Sequence, residues 1–167
     1  MGDRTHVQLV MEKQHYQQVK DEPWFDGPEL VEDVGMPISR AHSTRNLHTE
    51  SEQVSLDYDE VNYGELDFLE ELVNRGIAFD SDWSDGDNYG AGTETCRFNA
   101  EGECQRLTVY DSEDSPPISQ LLQLLESPDR LVDYIRNYSA SRTAWPFKNQ
   151  IEYGKLYLAR QLISPKE

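Results

Sequence analysis

Residues 93–110, TETCRFNAEGECQRLTVY, contain the pattern that decides the fold. Two runs of strand-like composition, 93–98 and 104–110, flank the tetrad Asn99–Gly102. Gly102 suits the left-handed backbone conformation that closes a short hairpin loop. The stretch therefore predicts a β-hairpin, and with it a sheet whose strands are mostly antiparallel.

The hairpin also predicts where the two cysteines of the chain lie. If the loop is closed between Asn99 and Glu103, then Cys96 and Cys104 are diagonal neighbours on one face and not directly opposite each other. A disulfide can form between such positions but is not favoured, so we interpret both as buried apolar side chains. Without C-x-x-C spacing or a nearby histidine they do not form a typical zinc site. Two cysteines favour a reducing compartment, so we expect a cytoplasmic protein.

Outward from the hairpin, the hydrophobic pattern predicts further strands and helices. Strands are expected at 5–11 and 54–58, with another beginning at 77–79. Helices are expected at 12–20, 64–75, 116–126, 128–138 and 150–163, with a strand start as the alternative for the last. Gly76 is placed to end one helix, and Ser115 and Ser127 each precede a proline, a typical helix start. This order predicts an α+β fold, in which a small, mostly antiparallel sheet is packed by helices.

We expect residues 1–167 to form a single domain, because the chain is long enough to bury one core. Residues 21–53 interrupt the pattern with prolines, glycines and a polar stretch, and predict a long irregular or partly mobile segment. Within it, residues 29–38, ELVEDVGMPI, are a candidate for a small ordered island.

The charge of the chain is distributed very unevenly. Residues 1–115 contain 27 Asp and Glu against 8 Lys and Arg, whereas residues 116–167 contain 5 against 7. The resulting charges of −19 and +2 add up to the net charge of −17. Direct binding to nucleic acid needs a basic patch, which the sequence lacks. No run reaches the ~18 apolar residues that span a membrane, so no membrane association is expected.

Acidic residues fall into three groups that are candidates for binding a partner. The first group is Asp57, Asp59 and Glu60, the second is Asp67, Glu70 and Glu71, and the third is Asp80, Asp82, Asp85 and Asp87. The second group lies opposite the apolar face of the predicted helix 64–75. The third group is expected in a loop together with Trp83 and Tyr89, which could anchor an interface or fold back onto the loop.

These features favour an acidic protein–protein interaction module. The sharpest form of the hypothesis is an inhibitor whose carboxylates replace DNA phosphates in the basic groove of a nucleic-acid-binding protein or complex. In charge and size, though in no motif, the chain is similar to the anti-restriction and anti-CRISPR proteins of phages and plasmids. The oligomeric state stays open.

Two alternatives belong to other classes. The carboxylates at Asp80–Asp87 could hold Ca²⁺ or Mg²⁺ in a small enzyme or binding protein, although the spacing does not match an EF-hand loop. The chain could also be an acidic accessory or immunity-type protein whose charge mainly confers solubility. No catalytic residue, metal ligand or cofactor motif is predicted, and an enzyme is the less favoured interpretation.

Overall fold

The computed structural model describes residues 4–34, 52–111, 116–125, 127–141, 144–145, 147 and 149–163. Its strands are β1 (Arg4–Glu12), β2 (Leu30–Val34), β3 (Gln53–Asn62), β4 (Phe79–Trp83), β5 (Gly92–Phe98) and β6 (Cys104–Tyr110). Its helices are α1 (Lys13–Val19), α2 (Leu69–Asn74), α3 (Ile118–Leu124), α4 (Pro128–Ala140) and α5 (Gln150–Ile163).

The six strands form one sheet in the order β2-β3-β1-β4-β5-β6, and each neighbouring pair is antiparallel. With helices packed on this sheet, the predicted α+β fold is confirmed. Antiparallel sheets commonly cover one face with apolar side chains that alternate along each strand. In β1, Val7, Leu9 and Met11 are fully buried. Leu9 pairs with Leu56 on β3, which is also fully buried, so the core lies on this face.

The predicted hairpin is confirmed with its register. The Asn99 amide donates to the Glu103 carbonyl oxygen at 3.1 Å, and Gly102 has a φ of +70°. Cys96 lies opposite Arg106, so it is diagonal to Cys104 on the core side of the sheet. The loop is closed further by the Asn99 side chain, whose Oδ1 accepts from the Glu103 amide at 2.8 Å.

The helix predicted at 64–75 begins later than expected, at Leu69. The preceding residues form turns because Tyr63 and Gly64 both take left-handed conformations, with φ of 54° and 72°. Leu66 and Phe68 are buried in the core although they lie before the helix. The helix ends as predicted at Gly76, whose φ is +67° and whose amide donates to the Val73 carbonyl oxygen at 2.9 Å.

Strand β4 extends through Trp83, so the prediction that residues 80–83 belong to an acidic loop is wrong. Phe79, Asp80 and Ser81 are all buried, as expected for a strand inside the sheet. In the segment 21–53, the described part of the predicted ordered island contains a strand, Leu30–Val34, at one edge of the sheet. Residues 35–51 lie outside the described part of the chain.

The C-terminal region is helical as predicted, including 150–163, where the strand alternative is wrong. Pro128 occupies the first turn of α4, but the Ser127 side chain makes no capping hydrogen bond, and Ser115 lies outside the described residues. Helices α3 and α4 contact each other, and neither contains a buried residue. Among the described helices, none is both long and apolar enough to cross a membrane.

Helix α5 packs against β5 where that strand turns into β6. The Gln150 side chain bonds both backbone groups of Phe98: its Oε1 accepts at 2.8 Å and its Nε2 donates at 3.0 Å. Strand β4 does not extend far enough to pair with Phe98. The Gln150 side chain therefore makes the two hydrogen bonds that a neighbouring strand would make there. Helix α5 thereby covers one end of the sheet, and α1, which follows β1 directly, lies at the same end.

Candidate functional site

The opposite end of the sheet carries a cluster of acidic loops. It is formed where β1 and β5 begin and where β3, β4 and β6 end. The Thr5 hydroxyl donates to the Ser84 carbonyl oxygen at 3.0 Å, and the Ser84 amide donates to the carbonyl oxygen of His6 at 3.2 Å. The Asp111 amide donates to Ala91 at 3.0 Å. Backbone hydrogen bonds thus fix the starts of these loops.

A β-bulge in β3 turns two acidic residues outward at this end. Between the pairs Val7–Tyr58 and Thr5–Val61, β1 has one residue and β3 has two, Asp59 and Glu60. Glu60 has a φ of 57°, a conformation that is costly for a residue with a side chain. Backbone strain of this kind is concentrated at functional positions in many proteins, so the bulge points to this end of the sheet as a candidate site.

Several carboxylates surround the bulge, and we call this surface the acidic end. It consists of Asp59, Glu60, Glu65, Asp85, Asp87 and Asp111, all of which are exposed. Glu60 forms an ion pair with Arg4. The other five carboxylates form no ion pair or hydrogen bond with any described residue. The acidic end is therefore a strongly negative surface with one nearby arginine in the described chain.

Aromatic rings support the loops of the acidic end. The Trp83 indole Nε1 donates to the Gly90 carbonyl oxygen at 3.0 Å, which ties the loop back to its strand. The rings of Tyr63 and Tyr89 are 6.0 Å apart, as are those of Trp83 and Tyr110. The predicted anchors, Trp83 and Tyr89, are half-buried and hold the loop. Tyr63 and Tyr110, at 51% and 43% exposure, are the more accessible rings.

Sequence reasoning did not find Tyr63, Glu65, Tyr110 or Asp111. One signal for Tyr63 was available, because the dipeptide Tyr63-Gly64 precedes a helical pattern where a turn is common. The others come together only through the pairing of β5 with β6 and of β4 with β1, which no local pattern specifies.

Three predicted site residues lie on the face of the sheet opposite the core, and each has a hydrogen-bonding partner on that face. Asp80 is 5% exposed and bound by the guanidinium of Arg97 at 2.5 Å, so its carboxylate is withdrawn from the surface. Asp82 accepts a hydrogen bond from the Thr93 hydroxyl at 2.6 Å. Asp57 is half-buried, and its Oδ1 lies 3.3 Å from both His6 Nε2 and Gln8 Nε2.

The predicted acidic face of α2 is neutralised by arginines. The guanidinium of Arg106 bridges Glu70 and Glu94, with a nitrogen–oxygen distance of 2.5 Å to each carboxylate. The Arg75 Nε donates to Glu71 at 2.8 Å. These contacts compensate most of the charge on this helix. The neighbouring Asp67 is exposed, before the helix begins.

The carboxylates at Asp80–Asp87 are divided between a strand and the loop beyond it. Asp80 and Asp82 project from β4, whereas Asp85 and Asp87 lie beyond its end. Within the described ranges, no three His, Cys, Asp or Glu side chains lie close enough together to hold a metal ion. The arrangement therefore gives no support to the Ca²⁺ or Mg²⁺ alternative.

No protein-family model matches the chain, and no curated protein or solved structure is significantly similar to it.

Proposed function

We propose that this chain is an acidic protein–protein interaction module that inserts its acidic end into a basic, nucleic-acid-binding groove of a cytoplasmic partner. The observation that carries the proposal is the grouping of five exposed carboxylates without ion-pair partners among the described residues: Asp59, Glu65, Asp85, Asp87 and Asp111. Restriction and CRISPR complexes, which hold DNA in such grooves, are the first partners to test.

Electrostatics explains why such a surface would bind there. Duplex DNA presents one charge per ~1.7 Å of its axis, and lysines and arginines of the groove are placed to meet those charges. Carboxylates carried on loops can accept hydrogen bonds from the same side chains. A field of one sign also steers a cationic partner towards the surface and accelerates association at low ionic strength.

Preorganisation strengthens the argument. The loop that carries Asp85 and Asp87 is closed by the hydrogen bond from Trp83 and by the packing of Tyr89 against Gly86. Its stem is held by the pairing of Trp83 with Gly92 across β4 and β5. A surface that is already ordered loses less conformational entropy on binding than a flexible acidic tail does.

The test compares two variants with an equal change in charge. In the first, Asp59, Asp85 and Asp87 are replaced by Asn; in the second, Asp67→Asn is combined with Glu70→Gln and Glu71→Gln. Each protein is used as bait in the host cytoplasm at low salt, and the captured protein is eluted with a salt gradient. We expect the wild type and the second variant to capture the same basic protein and the first to bind it at least about tenfold more weakly.

Competition with DNA distinguishes binding in a nucleic-acid-binding groove from nonspecific attraction to an acidic protein. Duplex DNA added to the complex is expected to displace the wild-type chain, because both occupy one groove. A captured partner that is released neither by DNA nor by salt, or that binds both variants equally, would contradict the proposal. Either result would favour an accessory or immunity-type role in which the charge confers solubility.

A further inference from the structure

The two cysteines of the chain meet on the core side of the hairpin. Their Sγ atoms are 3.7 Å apart, within hydrogen-bonding distance for sulfur, and both cysteines are free thiols. No other cysteine occurs in residues 1–167, so thiol chemistry within these residues takes place at this pair.

The two thiols differ in their access to solvent. Cys96 is fully buried on β5, an inner strand of the sheet. Cys104 is half-buried on the edge strand β6 and lines an open cleft between β6 and α5. Trp145, Tyr157 and Arg106 line the same cleft. A small reagent can therefore reach Cys104 from solvent, whereas Cys96 has no exposed surface.

The surroundings also separate the two thiols in acidity. The hydrogen bond between them lowers the pKa of Cys104, against the effect of burial; the positive charge of Arg106 also lowers it, and the negative charge of Glu70 opposes Arg106. That hydrogen bond, together with desolvation, raises the pKa of Cys96. The arrangement resembles that of redox-sensing cysteines, in which an accessible thiolate lies beside a second thiol that resolves it.

We propose that Cys104 and Cys96 are a reversible redox site that responds to hydrogen peroxide. The Cys104 thiolate attacks one peroxide oxygen, the O–O bond breaks, and a proton is taken up, which gives a sulfenic acid and water. The Cys96 thiol then attacks the sulfenic sulfur and displaces a second water as the disulfide forms. The two thiols are oxidised, the peroxide is reduced, and this chemistry does not depend on the function proposed above.

The fold allows the disulfide to form but does not make it resistant to reduction. Diagonal partners in a hairpin are separated by roughly 7–8 Å between Cα atoms, slightly more than a disulfide usually spans. The edge strand β6 is paired on one side only, so it can shift towards β5. A disulfide that bends its hairpin in this way is readily reduced, so thiols restore the starting state.

The first experiment needs no substitution. The folded, reduced protein is treated briefly with a thiol-alkylating reagent, and the modified residue is identified by peptide mass spectrometry. We expect Cys104 to be alkylated at least about tenfold faster than Cys96, because reactivity follows exposure and thiolate content. Equal rates, or faster reaction at Cys96, would overturn the assignment of roles.

The second experiment tests the bond itself. After one equivalent of hydrogen peroxide, we expect a monomer that has lost two hydrogen atoms, has no alkylatable thiol and is restored by dithiothreitol. Cys96→Ser should stop at a Cys104 sulfenic acid that dimedone traps, and Cys104→Ser should leave Cys96 reduced. Disulfide-linked dimers, or Cys104 sulfinic acid in the wild type without a disulfide, would refute the proposal even if a variant failed to fold.

Discussion

The two ends of the sheet differ in how far their charged and polar side chains are paired within the molecule. At the end covered by α1 and α5, which we call the helix-covered end, the buried side chains of Gln150 and Arg97 are hydrogen-bonded to backbone groups. At the acidic end, five exposed carboxylates have no ion-pair partner among the described residues. The comparison shows that net charge says little about interactions until the fold decides which carboxylates are compensated.

Arg97, which lies near the helix-covered end, shows how a buried charge is compensated. It is 4% exposed, donates to the carbonyl oxygens of Phe79 and Cys96, and pairs with Asp80. The ring of Phe147 lies 4.1 Å from its guanidinium carbon and shields the pair from water. An aspartate in this setting is a structural residue, whereas the same residue type at the acidic end has no internal role.

The largest expected effect comes from removing the buried carboxylate. Asp80→Ala leaves the Arg97 guanidinium buried without its counter-charge, which we expect to lower the free energy of unfolding by about 3–5 kcal/mol. Asp85→Ala, at the acidic end, should change it by less than about 0.5 kcal/mol. Urea unfolding of both variants measures the difference. Similar losses in the two would mean that the ends are not distinct in the way described.

The next largest expected effect is a pH dependence of stability that arises at the helix-covered end. His15 on α1 is buried, and desolvation together with the charge of Lys155 lowers its pKa to about 4 from 6.5. Below pH 6.5 the unfolded chain therefore binds a proton that the folded chain does not, and stability falls until the pH reaches about 4. The full loss is roughly 3 kcal/mol, since one pKa unit corresponds to ~1.4 kcal/mol.

His15→Gln isolates this contribution from the titrating carboxylates. The variant keeps a polar side chain of similar size but does not titrate, so its unfolding free energy should fall less steeply than that of the wild type between pH 6.5 and 4. Urea unfolding at a series of pH values gives both curves. Parallel curves would show that His15 is protonated in the folded state as easily as in the unfolded state.

Close packing at the helix-covered end predicts a smaller effect. A Cβ added at Gly154 on α5 would overlap the carbonyl oxygen of Gly76, and one added at Gly76 would lie 2.6 Å from the Gly154 oxygen. Gly154→Ala should therefore cost about 1–3 kcal/mol, even though alanine has the higher helix propensity. At the acidic end, Gly90→Ala meets no atom within 4 Å and should be nearly neutral. Thermal unfolding of the pair provides the measurement.

Local patterns predicted the hairpin well because its turn residues and its register are set within one short segment. The loop from Asn99 to Glu103 closes as expected, and the diagonal placement of the cysteines follows from it. Gly76 also ends its helix as predicted. Gly154, by contrast, is only a residue of low helix propensity as far as the sequence shows, and its role becomes clear from the close approach of Gly76.

The candidate site could be predicted only in part, because charge compensation depends on contacts between distant segments. The sequence predicts that Asp59, Asp85 and Asp87 contact a partner, and the structure leaves all three exposed. Nothing near Asp80 or Glu70 in the sequence shows that Arg97 and Arg106 neutralise them from other strands. The sequence also gives no local signal for the bulge at Glu60, because the bulge arises from the register between β1 and β3.

That bulge carries the smallest predicted effect and the most direct test of strain at the acidic end. Glu60 has a φ of 57°, which costs a residue with a side chain about 1–2 kcal/mol, whereas glycine adopts it freely at some cost in entropy. Glu60→Gly should therefore stabilise the fold by up to about 1 kcal/mol, since the exposed ion pair with Arg4 contributes little.

Glu60→Gln separates backbone strain from charge repulsion, because it removes the carboxylate but keeps the strained conformation. If strain is the cause, urea unfolding should show stabilisation in Glu60→Gly and none in Glu60→Gln. Equal stabilisation by both variants would instead assign the effect to repulsion among the carboxylates, which higher salt should then reduce. The outcome decides whether the acidic end tolerates an unfavourable backbone at the bulge or only an excess of like charge.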